Sequence, residues 1–258
     1  MDSSKRILVL IPARFQSSRF PGKPLAKIAG KSMIERVCTR LGARESNLPY
    51  TIAVVTDSDQ IEEHVRGFGG AVCRVDDPVN SGSERIFLAY QRFFQQDSFD
   101  FIINVQGDEP LLDSRDLARM LELQSCSHFD IATMVKGESE IGSDFLSPDT
   151  VKAIYCQQSG RCLYFSRASI PYSVEGDSGH PPVWYRHIGV YSYTPSSLLK
   201  FHQSVDGQYE QIEKLEQLKA LEAGLSIGAV KIAGPHLGVD RPEDIKRVEG
   251  MILEQEKN

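Results

Sequence analysis

The sequence lacks several features that mark common classes of protein. Its 258 residues include five cysteines, an odd number, and no two of them have Cys-x-x-Cys spacing. We therefore expect small buried thiols in a reducing compartment rather than a disulfide framework or a zinc site. The first apolar run, "ILVLI", is too short for a signal sequence, and no run is long enough to span a bilayer. These absences predict a cytoplasmic protein without membrane insertion.

Acidic residues outnumber basic residues overall, yet positive charge is concentrated near the start of the chain. The formal net charge is -6 and the sequence pI is about 5.6, which argues against a general nucleic-acid-binding protein. From Ser3 to Ile34, however, there are seven lysine or arginine residues and no acidic residue. A local cationic segment in an acidic protein indicates a small anionic ligand.

Continuous apolar runs of strand length alternate with helical patterns through the first part of the chain. Continuous rather than alternating runs are typical of parallel strands covered on both faces. Ser32, with Glu35 at the capping-box spacing, predicts one helix start, and Asp57 or Asp59 is expected to cap the next helix. The pattern predicts an α/β fold with a Rossmann-like, mostly parallel sheet. The predicted strands are 6–12, 50–57, 70–75 and 99–108, and the predicted helices are 32–44, 57–69 and 83–96.

The second half is less regular and richer in strand patterns. It contains an apolar stripe within 209–224 that predicts one continuous helix, formed by Ile212, Leu215, Leu218 and Leu221 and ending at Gly224. We expect a single domain over 1–258 with a β-rich segment inserted at about 151–193. Further strands are predicted at 151–156, 162–172, 185–193 and 227–234, and a closing helix at 241–255.

The loop after the first strand, "PARFQSSRFPGKPL", carries Arg14, Arg19 and Lys23. In doubly wound sheets, ligands bind beyond the carboxyl ends of strands, where this loop is expected to lie. The loop matches neither G-x-G-x-x-G nor the P-loop pattern, so a dehydrogenase or an ordinary P-loop ATPase is not expected. Spaced cations suit several phosphate groups. The alternative is a solvated basic loop.

Two acidic motifs are candidate metal ligands. Asp108 in "NVQGDEP" follows a predicted strand, and Asp240 in "GVDRPED" precedes a predicted helix. Two carboxylates are the usual protein contribution to a Mg²⁺ site when phosphates supply further ligands. Gln106 could hydrogen bond a base or a sugar. The alternatives are a strand-end turn for Asp108 and a helix N-cap for Asp240.

Polar side chains near the later strands could receive a carboxylate substrate. Arg167 and Arg186–His187 lie beside aromatic, strand-like segments, and Glu216–Gln217 flanks the apolar stripe of the predicted helix. Taken alone, each feature favours the alternative: a structural role for His187 and a solvated helix surface for Glu216.

Together the motifs resemble those of the 3-deoxy-manno-octulosonate (Kdo) cytidylyltransferase family, also called CMP-Kdo synthetases. The motifs occur in the family's order from about Ile7 to Glu249. This sequence departs mildly at "SSRFPGKP" and "SGSERI", and it has Arg241 after Asp240 where threonine is common. The sequences that carry the resemblance are "IPARFQSSRFPGKPL", "SGSERI", "NVQGDEP", "LYFSRASIPY", "YRHIGVYSY", "EKLEQLKALEAG" and "GVDRPEDIKRVE".

The resemblance implies a nucleotide-diphospho-sugar transferase fold, a homodimer and Mg²⁺-dependent formation of CMP-Kdo and pyrophosphate from CTP and Kdo, for lipopolysaccharide synthesis. The inserted segment 151–193 is the candidate dimer interface. It implies catalytic roles for Arg14, Lys23, Asp108 and Asp240, of which Asp108 and Asp240 hold Mg²⁺. Alternatives are another acidic sugar, such as 8-amino-Kdo or a sialic acid, and a nucleotide-binding regulator without catalysis. By position, Pro12, Ala13, Arg14, Arg19, Lys23, Ser81, Gly82 and Gln106 would contact the nucleotide, and Arg167, His187, Glu216 and Gln217 the sugar.

Overall fold

The computed structural model describes residues 5–16, 20–42, 50–79, 81–172, 183–205, 207–234 and 236–255. The chain divides into two compact units, and the second is inserted between the two parts of the first. The first unit comprises Met1–Ala118 and Gly234–Asn258, and the second comprises Arg119–Ala233.

Both units contain strands. In chain order these are β1 (Ile7–Ala13), β2 (Lys27–Ile28), β3 (Lys31–Ser32), β4 (Tyr50–Thr56), β5 (Val72–Arg74), β6 (Phe101–Val105), β7 (Ile131–Glu138), β8 (Lys152–Tyr155), β9 (Cys162–Ser166), β10 (Trp184–Tyr193) and β11 (Ile227–Ile232).

None of the described helices is long and apolar enough to cross a membrane. In chain order they are α1 (Met33–Leu41), α2 (Asp59–Gly67), α3 (Gly82–Ala89), α4 (Ser114–Ser127), α5 (Ser143–Leu146), α6 (Pro195–Gln203), α7 (Gln208–Glu213), α8 (Glu216–Glu222) and α9 (Asp244–Gln255), with a 3₁₀ turn at Lys23–Leu25 and a π-helical turn at Tyr90–Phe94 after α3.

The first unit is built on a parallel sheet in the order β6-β1-β4-β5. Every residue of β1 and of β6 is buried, as the continuous apolar runs predicted. The predicted α/β class and parallel sheet are therefore confirmed. Because parallel strands end at one edge, the segments after β1 and β6 begin on the same side of the sheet.

Local capping sets the helix starts of this unit. The Ser32 side chain accepts a hydrogen bond from the Glu35 backbone N–H, as predicted. The next helix is capped by Ser58, which accepts from Ile61, so the prediction of an aspartate cap was wrong. Asp57 instead pairs with the guanidinium of Arg85 at 2.7 Å, and that arginine side chain is almost completely buried. The Asp57 side chain, which local spacing assigned to a helix cap, thus forms a tertiary ion pair instead.

The second unit is mainly a β structure. β11 pairs with β7 in parallel, whereas β10 pairs antiparallel with β7 and β8, and β8 with β9. The predicted β-rich segment 151–193 contains β8, β9 and β10, but the compact unit is larger, and β7 is absent from the predicted strands.

The predicted helix over 209–224 is wrong as a single element. It is broken at Lys214, which has the left-handed φ of 54°, so α7 and α8 are separate helices. Ile212, before the break, is exposed to solvent, whereas Leu215 and Leu218, after it, are buried. The predicted apolar stripe therefore holds for the second half of the segment only.

The five cysteines are free, as predicted. Cys73 and Cys162 are buried, and burial raises their pKa values to about 11 and about 12. Cys126 is exposed, so the expectation of buried thiols is wrong for that residue.

Candidate active site

The predicted anion loop begins at the buried end of β1, with Pro12 and Ala13, and continues into half-buried Arg14. The Gly22 N–H donates to the Phe15 carbonyl at 2.8 Å and closes the loop on itself. Gly22 has a φ of +72°, a conformation that other residues seldom adopt, and leads into the 3₁₀ turn that begins at Lys23. The predicted ligand Arg19 lies outside the described residues.

Lys23 connects three segments of the first unit. Its Nζ donates to Asp108 Oδ2 at 2.5 Å and to the Val239 carbonyl at 3.0 Å. Thus the loop after β1, the segment after β6 and the segment before α9 meet at one ammonium group. The structure thus brings together three motifs, and the two that are farthest apart, at Lys23 and Val239, are separated by 216 residues in the sequence.

Asp108 lies in a confined environment. Burial raises the pKa of its carboxyl group, Lys23 opposes that effect, and the neighbouring Glu109 adds to it. Glu109 is itself buried, and His236 Nε2 lies 2.9 Å from Glu109 Oε2 without the alignment of a hydrogen bond. A ligand cation beside Asp108 would favour its charged form, as Lys23 does here.

Asp240 is exposed on the segment that contacts Asp108. The Val239 N–H donates to the Asp108 carbonyl at 3.0 Å, which places the residue before Asp240 against Asp108. The Val239 side chain is fully buried in an apolar cluster with Ile28, Met33, Leu111, Val248 and Ile252. This core anchors the segment while Asp240 remains open to solvent.

The donor set of these segments fits a hard divalent cation. Asp108 and Asp240 offer carboxylate oxygens, and no group of three or more His, Cys, Asp or Glu side chains that could hold a metal occurs among the residues that the structure describes. A site with two protein carboxylates needs ligands from elsewhere, and phosphate oxygens are suited to that role.

Ser81, Gly82 and Gln106 lie beside the end of β1. Ser81 caps α3 by accepting from the Glu84 N–H at 3.1 Å. A Cβ atom added at Gly82 would lie 3.2 Å from Pro12 Cγ and 3.7 Å from the Gln106 amide. Three of the predicted nucleotide-binding segments are therefore neighbours.

Arg167, in the second unit, is held by backbone carbonyl groups. Its guanidinium donates to Glu213 O at 2.7 Å, Pro148 O at 2.8 Å and Lys214 O at 3.4 Å. Among the described residues it has no carboxylate partner. A half-buried cation without a counter-ion suits an anionic ligand.

His187 and Gln217 both contact Tyr191. The Tyr191 hydroxyl donates to Gln217 Oε1 at 3.1 Å, and the His187 and Tyr191 ring centroids are 5.4 Å apart. The negative charge of Glu216 contributes to the raised pKa of Tyr191, after the larger effect of burial. Two of the four predicted sugar-binding residues thus contact one buried tyrosine, and a third acts on its pKa.

Burial lowers the pKa of His187 to about 3, so its imidazole is neutral near pH 7. Its Nε2 lies 3.0 Å from Thr133 Oγ1, and the Thr133 hydroxyl also lies 2.8 Å from the Val190 carbonyl. Because the hydroxyl has one proton and gives it to that carbonyl, Nε2 carries the imidazole proton and Nδ1 is the acceptor. His187 therefore offers a neutral hydrogen-bonding group near pH 7 and no positive charge.

Sequence reasoning did not single out Lys152, Tyr191, Glu213 and His236. Lys152 is fully buried and donates to the carbonyls of Ser147, Thr150 and Arg167. Lys152 and His236 lie in none of the quoted motifs, and their contacts are with backbone atoms or with residues distant in sequence. A signal was available for the other two, since Tyr191 lies in "YRHIGVYSY" and Glu213 begins "EKLEQLKALEAG".

The family model described as "Cytidylyltransferase" matches residues 8–231, and the chain belongs to this family. Fold and family thus define a nucleotidyltransferase-type protein.

Particular relatives are named more specifically. The chain is 39% identical over 254 residues to the 3-deoxy-manno-octulosonate cytidylyltransferase of Desulfatibacillum aliphaticivorans, covering 97% of this chain and 100% of the relative. It is also 39% identical over 251 residues to the 8-amino-3,8-dideoxy-manno-octulosonate cytidylyltransferase of Shewanella halifaxensis, covering 95% and 98%. A solved CMP:2-keto-3-deoxy-manno-octonic acid synthetase complexed with CTP matches with a TM-score of 0.86 and 32% identity, covering 98% of this chain and 100% of that chain.

Proposed function

We propose that this protein activates Kdo with CTP and forms CMP-Kdo and pyrophosphate. The observation that carries the proposal is the contact of Lys23 with both Asp108 and Val239, which joins the cationic loop to the two acidic motifs. The choice of reaction is supported by relatives named 3-deoxy-manno-octulosonate cytidylyltransferase, which match nearly the whole chain. The choice of nucleotide is supported by a structural neighbour solved with CTP. The product would feed lipopolysaccharide synthesis.

In the proposed reaction, the anomeric hydroxyl of the sugar attacks the α-phosphorus of CTP in line. One P–O bond forms, the bond to the pyrophosphate group breaks, and no covalent enzyme intermediate is needed. Catalysis then consists of positioning and of neutralising phosphate charge. Arg14, Arg19 and Lys23 would bind phosphates, with Lys23 moving its ammonium from Asp108 to a phosphate oxygen. Pro12, Ala13, Ser81, Gly82 and Gln106 would line the nucleotide site.

A divalent cation completes the proposed nucleotide site. Cytidylyltransferases generally use one, and we propose Mg²⁺ held by Asp108 and Asp240. When bound, it would supply positive charge to the phosphate oxygens. The chain's own contribution is to keep both carboxylates on hydrogen-bonded segments.

The second unit would bind the acidic sugar. Arg167 would face its carboxylate with a positive charge, whereas His187, Glu216 and Gln217 would form hydrogen bonds with sugar hydroxyl groups. The 8-amino sugar is a second candidate, because relatives named for it match the chain as closely as those named for Kdo. An amino group at C8 in place of a hydroxyl group would also be recognised through hydrogen bonds.

Pyrophosphate release with purified protein, CTP and Mg²⁺ tests the function directly. Kdo, 8-amino-Kdo, a sialic acid and a sugar 1-phosphate would be compared at equal concentration. The highest kcat/KM with Kdo would support the proposal, and the highest value with 8-amino-Kdo would establish the second candidate. Binding of CTP without release of pyrophosphate in the presence of any of the acidic sugars would instead show a nucleotide-binding regulator.

We also propose a homodimer formed through the second unit. Most of the exposed large apolar side chains among the described residues belong to this unit, and Leu163 is one of them on the edge strand β9. Sedimentation of Leu163→Asp should show weaker dimerisation, while Phe93→Asp, a control on an exposed residue of the first unit, should leave it unchanged. A monomeric wild-type protein would refute the dimer. The cytoplasmic location remains a prediction that cell fractionation would test.

A further inference from the structure

We propose that Glu213 is a positioning residue for the acidic sugar, because it fixes Arg167 in the orientation that leaves its positive charge available to the substrate carboxylate. The inference rests on the proposed function and concerns the sugar-binding half of it.

The carboxylate of Glu213 has three close donor contacts. It accepts from the Ser166 hydroxyl at 2.8 Å and 2.9 Å, through its two oxygens, and from the Arg167 backbone N–H at 2.6 Å. Hydrogen bonds to a charged acceptor are stronger than neutral ones. Glu213 therefore binds the main chain of Arg167 rather than its guanidinium.

The backbone carbonyl of Glu213 holds the side chain of the same arginine. Arg167 Nε donates to it at 2.7 Å, and a terminal nitrogen donates to the Lys214 carbonyl. Both carbonyls lie at the end of α7, where the left-handed Lys214 breaks the helix and leaves carbonyl groups without intrahelical partners. The break and the arginine contact therefore support each other.

Lys152 secures the arginine from a further direction. Its Nζ donates to the Arg167 carbonyl at 2.7 Å and is fully buried. The main-chain N–H and C=O of Arg167 are thus both held by charged side chains, which restricts the backbone on which the guanidinium is mounted.

The guanidinium keeps free binding capacity in this arrangement. It has five N–H donors. Three donate to the carbonyls of Pro148, Glu213 and Lys214, and the other two have no partner among the residues that the structure describes. A guanidinium with two remaining N–H groups and no counter-ion is suited to binding a carboxylate. Glu213 directs the arginine without neutralising it.

Steady-state kinetics with Glu213→Gln and Glu213→Ala test the inference. Glutamine keeps the shape of the side chain but loses its charge, and alanine loses both acceptor oxygens. We expect the KM for Kdo to rise about 5-fold in the glutamine variant and about 30-fold in the alanine variant. The KM for CTP should stay within about twofold of wild type, because the nucleotide residues lie in the other unit.

Glu222→Gln is the matched control. Glu222 also binds α7, by accepting from the Tyr209 N–H at 2.7 Å, but no contact joins it to Arg167 among the described residues. Loosening of α7 alone would raise the KM for Kdo equally in the Glu222 and Glu213 variants, which would overturn the inference. Rescue should be seen in Glu213→Asp, with a KM for Kdo below that of the alanine variant.

The remaining outcomes are also decisive. An unchanged KM for Kdo in Glu213→Gln, with wild-type melting temperature, would overturn the inference while the proposed function stood. If the alanine variant does not fold, the glutamine variant decides by the same criterion. A wild-type protein that binds CTP but uses no acidic sugar would overturn the proposed function and this inference together.

Discussion

The two units place their predicted functional residues in opposite ways. In the first unit, Lys23 and Asp108 form an ion pair at 2.5 Å, so under the proposed function CTP binding would exchange one ionic partner for another. In the second, Arg167 is held by neutral carbonyl groups and has no carboxylate partner among the described residues. The first arrangement suits a ligand that brings both phosphate and metal, and the second suits an anion that arrives without a cation.

The largest expected effect tests the proposed metal site, which the first unit has and the second unit lacks in the proposed function. Asp240→Asn should lower turnover about 10³-fold, or about 4 kcal/mol of transition-state stabilisation, because it removes a proposed metal ligand. Folding should be unaffected, since the side chain is exposed. Pyrophosphate release across a Mg²⁺ titration is the measurement, with exposed Glu243→Gln as control. Wild-type activity at limiting Mg²⁺ would refute a ligand role.

The second prediction concerns acid stability and the second unit alone. The pKa of His187 is about 3 in the folded chain, below its usual value of 6.5, so the unfolded state binds more protons between those pH values. Stability from the neutral imidazole is present above pH 6.5 and is lost as the pH falls towards 3. This group should therefore cost about 3 kcal/mol of unfolding free energy between pH 7 and pH 4.

Urea unfolding of wild type and His187→Gln over that pH range measures this term. Glutamine can still donate to Thr133 but does not titrate, so the stability difference between the two proteins should shrink as the pH falls. Parallel pH profiles would show that His187 is not buried in its neutral form.

The third prediction tests the exchange of ionic partners at Lys23. Lys23→Met should weaken CTP binding about 10- to 30-fold, the usual effect of losing a hydrogen bond to a charged group. Lys27→Met, an exposed lysine nearby in the same basic region, is the control for the general loss of charge. Isothermal titration with CTP and Mg²⁺ distinguishes them. If the two substitutions weakened CTP binding equally, Lys23 would contribute only to the overall electrostatic potential and would not contact a phosphate.

The smallest expected effect concerns the helix break in the second unit. Lys214→Gly should raise the free energy of unfolding by about 0.5 kcal/mol, because glycine adopts a φ of 54° without strain. Lys200→Gly, in the interior of α6, should lower it by about 1 kcal/mol. Destabilisation by both substitutions, measured by urea unfolding, would mean that the left-handed position is not the site of strain.

The first unit was largely predictable because its site follows from local patterns. Continuous apolar runs predicted the parallel strands, and parallel strands place the residues that follow them at one edge. Arg14 and Asp108 could therefore be assigned to one region from their positions after β1 and β6. What could not be predicted is that Lys23 would reach both Asp108 and Val239, since this depends on the length and direction of one side chain.

The second unit was less predictable because the positions of its polar groups depend on partners that are distant in the sequence. The period of the Tyr209–Gly224 segment predicted one helix, yet its interruption at Lys214 is stabilised by Arg167, about fifty residues earlier in the chain. Ile212 in this segment is exposed despite its hydrophobicity. In this segment, long-range hydrogen bonds override the local helix propensity.

By itself the sequence determined the class of fold, the parallel strands of the first unit and the family, since each depends on residue order and hydrophobic periodicity. The tertiary structure alone decided which charges meet. It paired Lys23 with Asp108, gave Asp57 to Arg85 instead of to a helix cap, and held Arg167 on the carbonyls of a broken helix. The reason is physical: strands and helices arise from short-range repeats, whereas the energy of a buried charge depends on the partners and the solvent that the whole fold leaves around it.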